Sequence, residues 1–159
     1  MTMNANVDSA ALEEVRRLLA KHPRMHGYYL LKLVELPPSW RDDAEAALTS
    51  AFQSLDDHEW PPAGQRPVEQ AWSDYEVSEE IAKSRTISAL IGGGAIGHSR
   101  DTIARDQAAQ IWAAFRAIFA STPQFFCGVG LGDSAYAYLD GAILVDEAKA
   151  GCLCVIEDD

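Results

Sequence analysis

The chain has few basic residues and no long hydrophobic run, and each shortage excludes a class of partner. Lys and Arg number 13 against 24 Asp and Glu, which gives a formal net charge of −11. This charge repels phosphate backbones and anionic lipid headgroups, so we expect neither a nucleic-acid nor a membrane partner. Apolar runs such as Phe125–Cys127 are far shorter than the roughly 18 residues that span a bilayer.

Cysteine is also scarce, and no secretory signal is visible at the start of the chain. Three cysteines are an odd number without a disulfide pattern, so we expect reduced thiols and a cytoplasmic protein. Cys152 and Cys154 would point to one face of a strand, where Cys127 could join them as a third soft ligand. Structural zinc prefers four ligands in C-x2-C knuckles, so core packing is favoured, and no metal or cofactor is predicted.

The composition is otherwise that of a globular protein, with 159 residues of which 48% are hydrophobic. We predict one α+β domain over residues 8–159, with helices packed on one face of a mostly antiparallel sheet and a C-terminal β-meander.

Four helices are predicted from apolar spacing and capping residues. The first runs from Asp8 or Ser9 to Pro23, and the second begins at Ser39. Ser78 begins the third, which ends at the glycines after Ile91, and Asp101 caps the fourth, which ends before Pro123.

Strands are predicted between and after these helices. Tyr28–Leu36 is apolar enough to lie inside a sheet, whereas Val68–Val77 fits either a helix or a strand, with a strand preferred. The C-terminal strands are 125–129, 135–139, 142–145 and 152–156, and Asp140-Gly141 predicts a hairpin turn.

Two glycine-rich segments could contact a ligand. Gly92–Gly97 matches G-x-G-x-x-G, the phosphate-binding loop of dinucleotide folds. No acid lies between Asp106 and Asp133 to bind a ribose, so an inter-helix loop is the preferred interpretation. The glycines at 128, 130 and 132 are best explained by a bulge or a tight connection.

Three further residues define an alternative function, a small enzyme or ligand-binding domain built around the loop 92–97. His98 could act as a general base, and Asp133-Ser134 resembles the surroundings of some serine nucleophiles. Tyr136 stands where the G-x-S-x-G elbow needs glycine, so turn capping explains Asp133 and Ser134 better than catalysis does.

The acidic residues are concentrated in one stretch of the chain. Residues 56–80 contain eight acids and one base, together with Trp60, Trp72 and Tyr75. Acids beside aromatic residues are typical of a surface that attracts and then anchors a basic partner. The alternative is a solvated acidic face over core aromatics.

The charge distribution therefore favours a non-catalytic binding protein, such as an immunity-type inhibitor that occludes a basic toxin or nuclease. The predicted partner-binding residues are Asp56, Asp57, Glu59, Trp60, Asp74, Glu76 and Glu79.

Overall fold

A computed structural model describes residues 2–24, 28–53, 71–92, 103–120, 122–128 and 138–157. Within these residues the α-helices are α1 (Thr2–Ala20), α2 (Ala44–Gln53), α3 (Glu79–Ile91) and α4 (Arg105–Arg116). The strands are β1 (Tyr28–Glu35), β2 (Glu76–Val77), β3 (Gln124–Phe126), β4 (Tyr138–Val145) and β5 (Lys149–Glu157). Short 3-10 helices at Trp40–Asp43 and Trp72–Tyr75 precede α2 and β2. No helix of this part of the chain is long and apolar enough to cross a membrane.

The strands form one antiparallel sheet in the order β1-β5-β4-β3-β2. The last three strands of the sequence are neighbours in the sheet, so the predicted C-terminal meander is confirmed. β1 pairs with β5 along its whole length, from Tyr28 opposite Ile156 to Glu35 opposite Lys149.

Both faces of the sheet are buried. Alternate residues of β5 point to opposite faces, and each set lies in a different core. Leu153 and Val155 belong to a core shared with α1, α3 and α4, whereas Cys152 and Cys154 face a core formed by α2 and the 3-10 helices. The predicted α+β fold is confirmed, but helices pack on both faces of the sheet and not on one, because α2 and the 3-10 helices form this second, smaller layer. Buried Leu30 and Leu31 of β1 face the two different cores, in agreement with a strand covered on both sides.

Asp140-Gly141 is not a turn, and the sequence prediction was wrong here. Both residues lie inside β4, and the connection to β5 is made by residues 146–148. Gly141 nevertheless has a φ of +151°, so the glycine meets a real backbone requirement inside a strand.

The boundaries of α3 agree with the sequence signals, whereas those of the other three helices differ from the predicted ones. The hydroxyl of Ser78 accepts the N–H of Ile81 at 3.3 Å, and Gly92 ends the helix with a φ of 101°. Helix α1 begins at Thr2 and not at Asp8 or Ser9, and Ser39 precedes a 3-10 helix, so α2 begins only at Ala44. Helix α4 covers only Arg105–Arg116, shorter than predicted from Asp101.

The predicted strand Val68–Val77 is described only from residue 71 onwards. There residues 72–75 form a 3-10 helix, and only Glu76–Val77 is a strand.

Candidate functional site

Three of the predicted partner-binding residues lie along one edge of the sheet. Asp74 is in the 3-10 helix, Glu76 in the end strand β2 and Glu79 in the first turn of α3. All three are exposed, and exposed Glu80 adds a fourth carboxylate. These four residues are called the acidic edge below.

Two carboxylates of the acidic edge are engaged within the protein. Asp74 Oδ2 accepts the backbone N–H of Ala71 at 3.2 Å, and Glu79 pairs with Arg116 at 3.1 Å. Glu76 and Glu80 make no side-chain hydrogen bond or ion pair with any described residue. Half of the carboxylates of this edge therefore retain uncompensated charge.

An exposed apolar side chain follows directly after the acidic edge. Ile81, next to Glu80 in α3, is 48% exposed and is the one large hydrophobic residue classed as exposed in the described segments. An isoleucine adds nothing to solubility at this position, but it can lose water on contact with a partner.

Trp72 belongs to the core and not to a binding surface. The residue is 1% exposed, and its ring lies 5.7 Å from the Phe52 ring and meets the Phe126 ring edge-on at 5.5 Å. The indole N–H donates to Thr49 Oγ1 at 3.0 Å, and the backbone N–H donates to the carboxylate of Glu45 at 2.8 Å. The core interpretation therefore holds for this aromatic residue.

The other predicted site residues lie outside the described residues. They are Asp56, Asp57, Glu59 and Trp60 of the interface, and Gly93–Gly97, His98, Asp133 and Ser134 of the alternative site.

A polar cluster that the sequence did not indicate joins α3 to β4. Arg85 Nη2 donates to Asp140 Oδ1 at 2.9 Å, and the same oxygen accepts the N–H of Gly141 at 2.8 Å. Cys127 is buried close to this pair; burial raises the pKa of its thiol to about 11, the positive charge of Arg85 opposes that rise and Asp140 adds to it. Arg85 and Asp140 are 55 residues apart in the sequence, and only the packing of α3 on β4 brings them together.

The three cysteines are free and buried. Cys152 and Cys154 face one core and Cys127 faces the other, so the sheet lies between Cys127 and the other two thiols. A hydrogen bond with Cys152, together with burial, raises the pKa of Cys154. Among the described residues, no group of three His, Cys, Asp or Glu side chains is placed to hold a metal ion.

No protein-family model, curated protein or solved structure matches this chain. The acidic edge and the Arg85–Asp140 pair are therefore interpreted from their own geometry and charge.

Proposed function

We propose that this protein is a non-catalytic binding protein whose acidic edge occludes a basic protein partner, in the manner of an immunity-type inhibitor of a toxin or nuclease. The observation that supports this proposal is the exposure of four carboxylates on three consecutive elements, with Ile81 exposed beside them. In such a complex the carboxylates take the place of the negative charges of the partner's substrate.

Charge and apolar contact have different roles in this proposal. Glu76 and Glu80 attract a basic surface over a screening length of about 8 Å at physiological salt, which raises the association rate. Ile81 then loses water against the partner, and burial of an apolar side chain slows dissociation.

The remaining predicted interface residues act in the same way. Asp56, Asp57 and Glu59 add charge that favours association, and Trp60 is proposed as an aromatic anchor.

The experiment uses the immobilised protein to capture binders from the native cell at low and high salt. The test variant is the double charge reversal Glu76→Lys/Glu80→Lys, because neither side chain has a partner among the described residues. The matched control is Glu35→Lys/Asp42→Lys, which changes the net charge equally at two exposed positions away from the acidic edge.

We expect the wild type and the control to retain the same basic protein at low salt and the test variant to lose it. Capture that is equal for all three proteins would mean that the acidic edge is a solvated face.

A second set of variants tests the residues before Trp72, using the captured protein in a kinetic assay. Asp56→Lys/Asp57→Lys/Glu59→Lys is expected to slow association. Trp60→Ala is expected to raise the dissociation rate, with a loss of roughly 2 kcal/mol of binding free energy. Unchanged rates in both variants would remove residues 56–60 from the proposed interface.

A further inference from the structure

Arg85 uses only a small part of its hydrogen-bonding capacity within the protein. A guanidinium carries five N–H donors, yet the one hydrogen bond of Arg85 to a described residue is that from Nη2 to Asp140. The side chain is 42% exposed. Donors on Nη1 and Nε therefore remain for a group that approaches from solvent.

Asp140 fixes the position of this guanidinium without occupying its full donor edge. The Asp140 side chain is 18% exposed, and its Oδ1 is held by the N–H of Gly141. Because one oxygen contacts one nitrogen, the pair lacks the two parallel bonds of a bidentate arginine–carboxylate pair. Asp140 thus orients Arg85, and the remaining N–H donors of the guanidinium can still bind a second anion.

The backbone beside Arg85 is open because residue 128 is a glycine. Gly128 has a φ of +80°, and a Cβ built on it would lie 3.7 Å from Arg85 Nη1 and 3.9 Å from Cδ1 of Tyr75. A side chain at this position would therefore begin in van der Waals contact with the guanidinium. Cys127 lies close by with its thiol protonated at neutral pH, so it adds no negative charge.

We propose that Arg85, positioned by Asp140 and left uncovered by Gly128, binds an oxyanion, the carboxylate or phosphate group of a small ligand. Planar N–H donors at a fixed spacing match the oxygens of both groups. The net charge of −11 opposes free anions in general, so saturable binding at one arginine is a specific expectation. This site does not depend on the function proposed for the acidic edge.

The test follows the arginine Nε–H and backbone amide NMR signals while inorganic phosphate or sodium acetate is added at constant ionic strength. We expect the Arg85 Nε–H and Gly128 amide signals to shift and saturate, and the stronger of the two titrations assigns the site to phosphate or to carboxylate ligands. Arg41 is the internal control, because it is also an exposed arginine paired with a carboxylate, that of Glu147.

Two variants examine the role of the guanidinium. Arg85→Gln is expected to weaken binding about ten-fold or more, and Arg85→Lys, which keeps the charge, is expected to weaken it by a smaller factor. Arg41→Gln is expected to leave the titration unchanged.

Shifts that are linear and equal for Arg85 and Arg41 in the wild type would overturn the proposal, as would saturable binding that survives in Arg85→Gln. The wild-type comparison of the two arginines decides the question even where a variant fails to fold.

Discussion

Gly141 of β4 lies so close to Leu153 of β5 that a Cβ added to the glycine would come within 2.1 Å of the Leu153 carbonyl oxygen. The same Cβ would meet the Cα of Cys154 at 2.7 Å, and neither backbone atom can move without separating the two strands. The Asp-Gly sequence thus marks a close approach of two central strands.

Gly141→Ala is expected to lower the free energy of unfolding by about 3 kcal/mol or more, because a disfavoured φ and a backbone clash add together. Urea denaturation of the purified variant measures the loss. Gly128→Ala is the matched control: its φ of +80° is also disfavoured, but the added Cβ has room at 3.7 Å, so a loss of about 1 kcal/mol is expected. Equal losses in the two variants would contradict the close approach.

Trp72→Ala is expected to lower the free energy of unfolding by about 3 kcal/mol or more, because it removes a ring packed against Phe52 and Phe126. Trp72→Phe keeps much of the ring and loses the hydrogen bond to Thr49, so its loss should be smaller. Thermal denaturation compares the two variants. A variant as stable as the wild type would place this ring outside the core.

Asp146 predicts an acid-sensitive contribution to stability. This buried carboxylate accepts the backbone N–H groups of Ala120 and Ala148 at 2.9 Å, and it pairs with Lys149 Nζ at 3.0 Å. Burial alone would raise the pKa of Asp146, but these partners outweigh burial and lower the pKa. The stabilisation is therefore complete above the unfolded value of about 3.9 and is lost as the pH falls through the lower folded pKa.

Asp146→Asn is expected to lower the free energy of unfolding by about 2 kcal/mol at neutral pH. The difference in free energy of unfolding between this variant and the wild type should narrow in acid, below about pH 4. Denaturation curves over a pH series provide the measurement. Asp42→Asn, at an exposed acid, is the control and should show no comparable loss of stability at neutral pH. A gap between Asp146→Asn and the wild type that stays constant into acid would rule out the predicted linkage.

The three thiols are expected to resist labelling in the folded protein, because they are buried and the pKa values of Cys127 and Cys154 are raised. The pKa of an unfolded thiol is about 8.5, so in alkali the unfolded chain loses this proton before the folded protein does. The free energy of unfolding should therefore also fall as the pH rises from that value towards the folded pKa of Cys127, about 11. A thiol-reactive dye, added with and without denaturant, measures the protection. Rapid labelling of any cysteine in the native protein would contradict this account.

Local chemistry made part of the fold predictable from the sequence. Helix α3 begins and ends where Ser78 and Gly92 indicate, because capping depends on neighbouring backbone groups alone. Buried Leu48 and Phe52 of α2 follow the helical spacing of the sequence in the same way.

Contacts between distant residues explain the errors. Trp72 begins a 3-10 helix where the sequence favours a strand, and its backbone N–H is bound by the carboxylate of Glu45, 27 residues away. The positive φ of Gly141 serves strand packing and not a turn, which an Asp-Gly pair alone cannot distinguish.

The two candidate sites also differ in whether local sequence or long-range packing determines them. Charge density was enough to select Asp74, Glu76 and Glu79 as a possible interface, since carboxylates are rarely buried without partners. The pairing of Arg85 with Asp140 has no sequence signal, because it arises only when α3 packs on β4.

The most direct test of the acidic edge is the association rate of the captured basic protein as a function of salt, for the wild type, Glu76→Lys/Glu80→Lys and Glu35→Lys/Asp42→Lys. We expect fast association of the wild type at low salt and a decline as salt rises, because screening weakens the attraction between exposed charges. The acidic-edge variant should associate about ten-fold or more slowly and with a weaker salt dependence, whereas the control should remain close to the wild type. Equal rates and equal salt dependence for the wild type and the acidic-edge variant would contradict the proposed function.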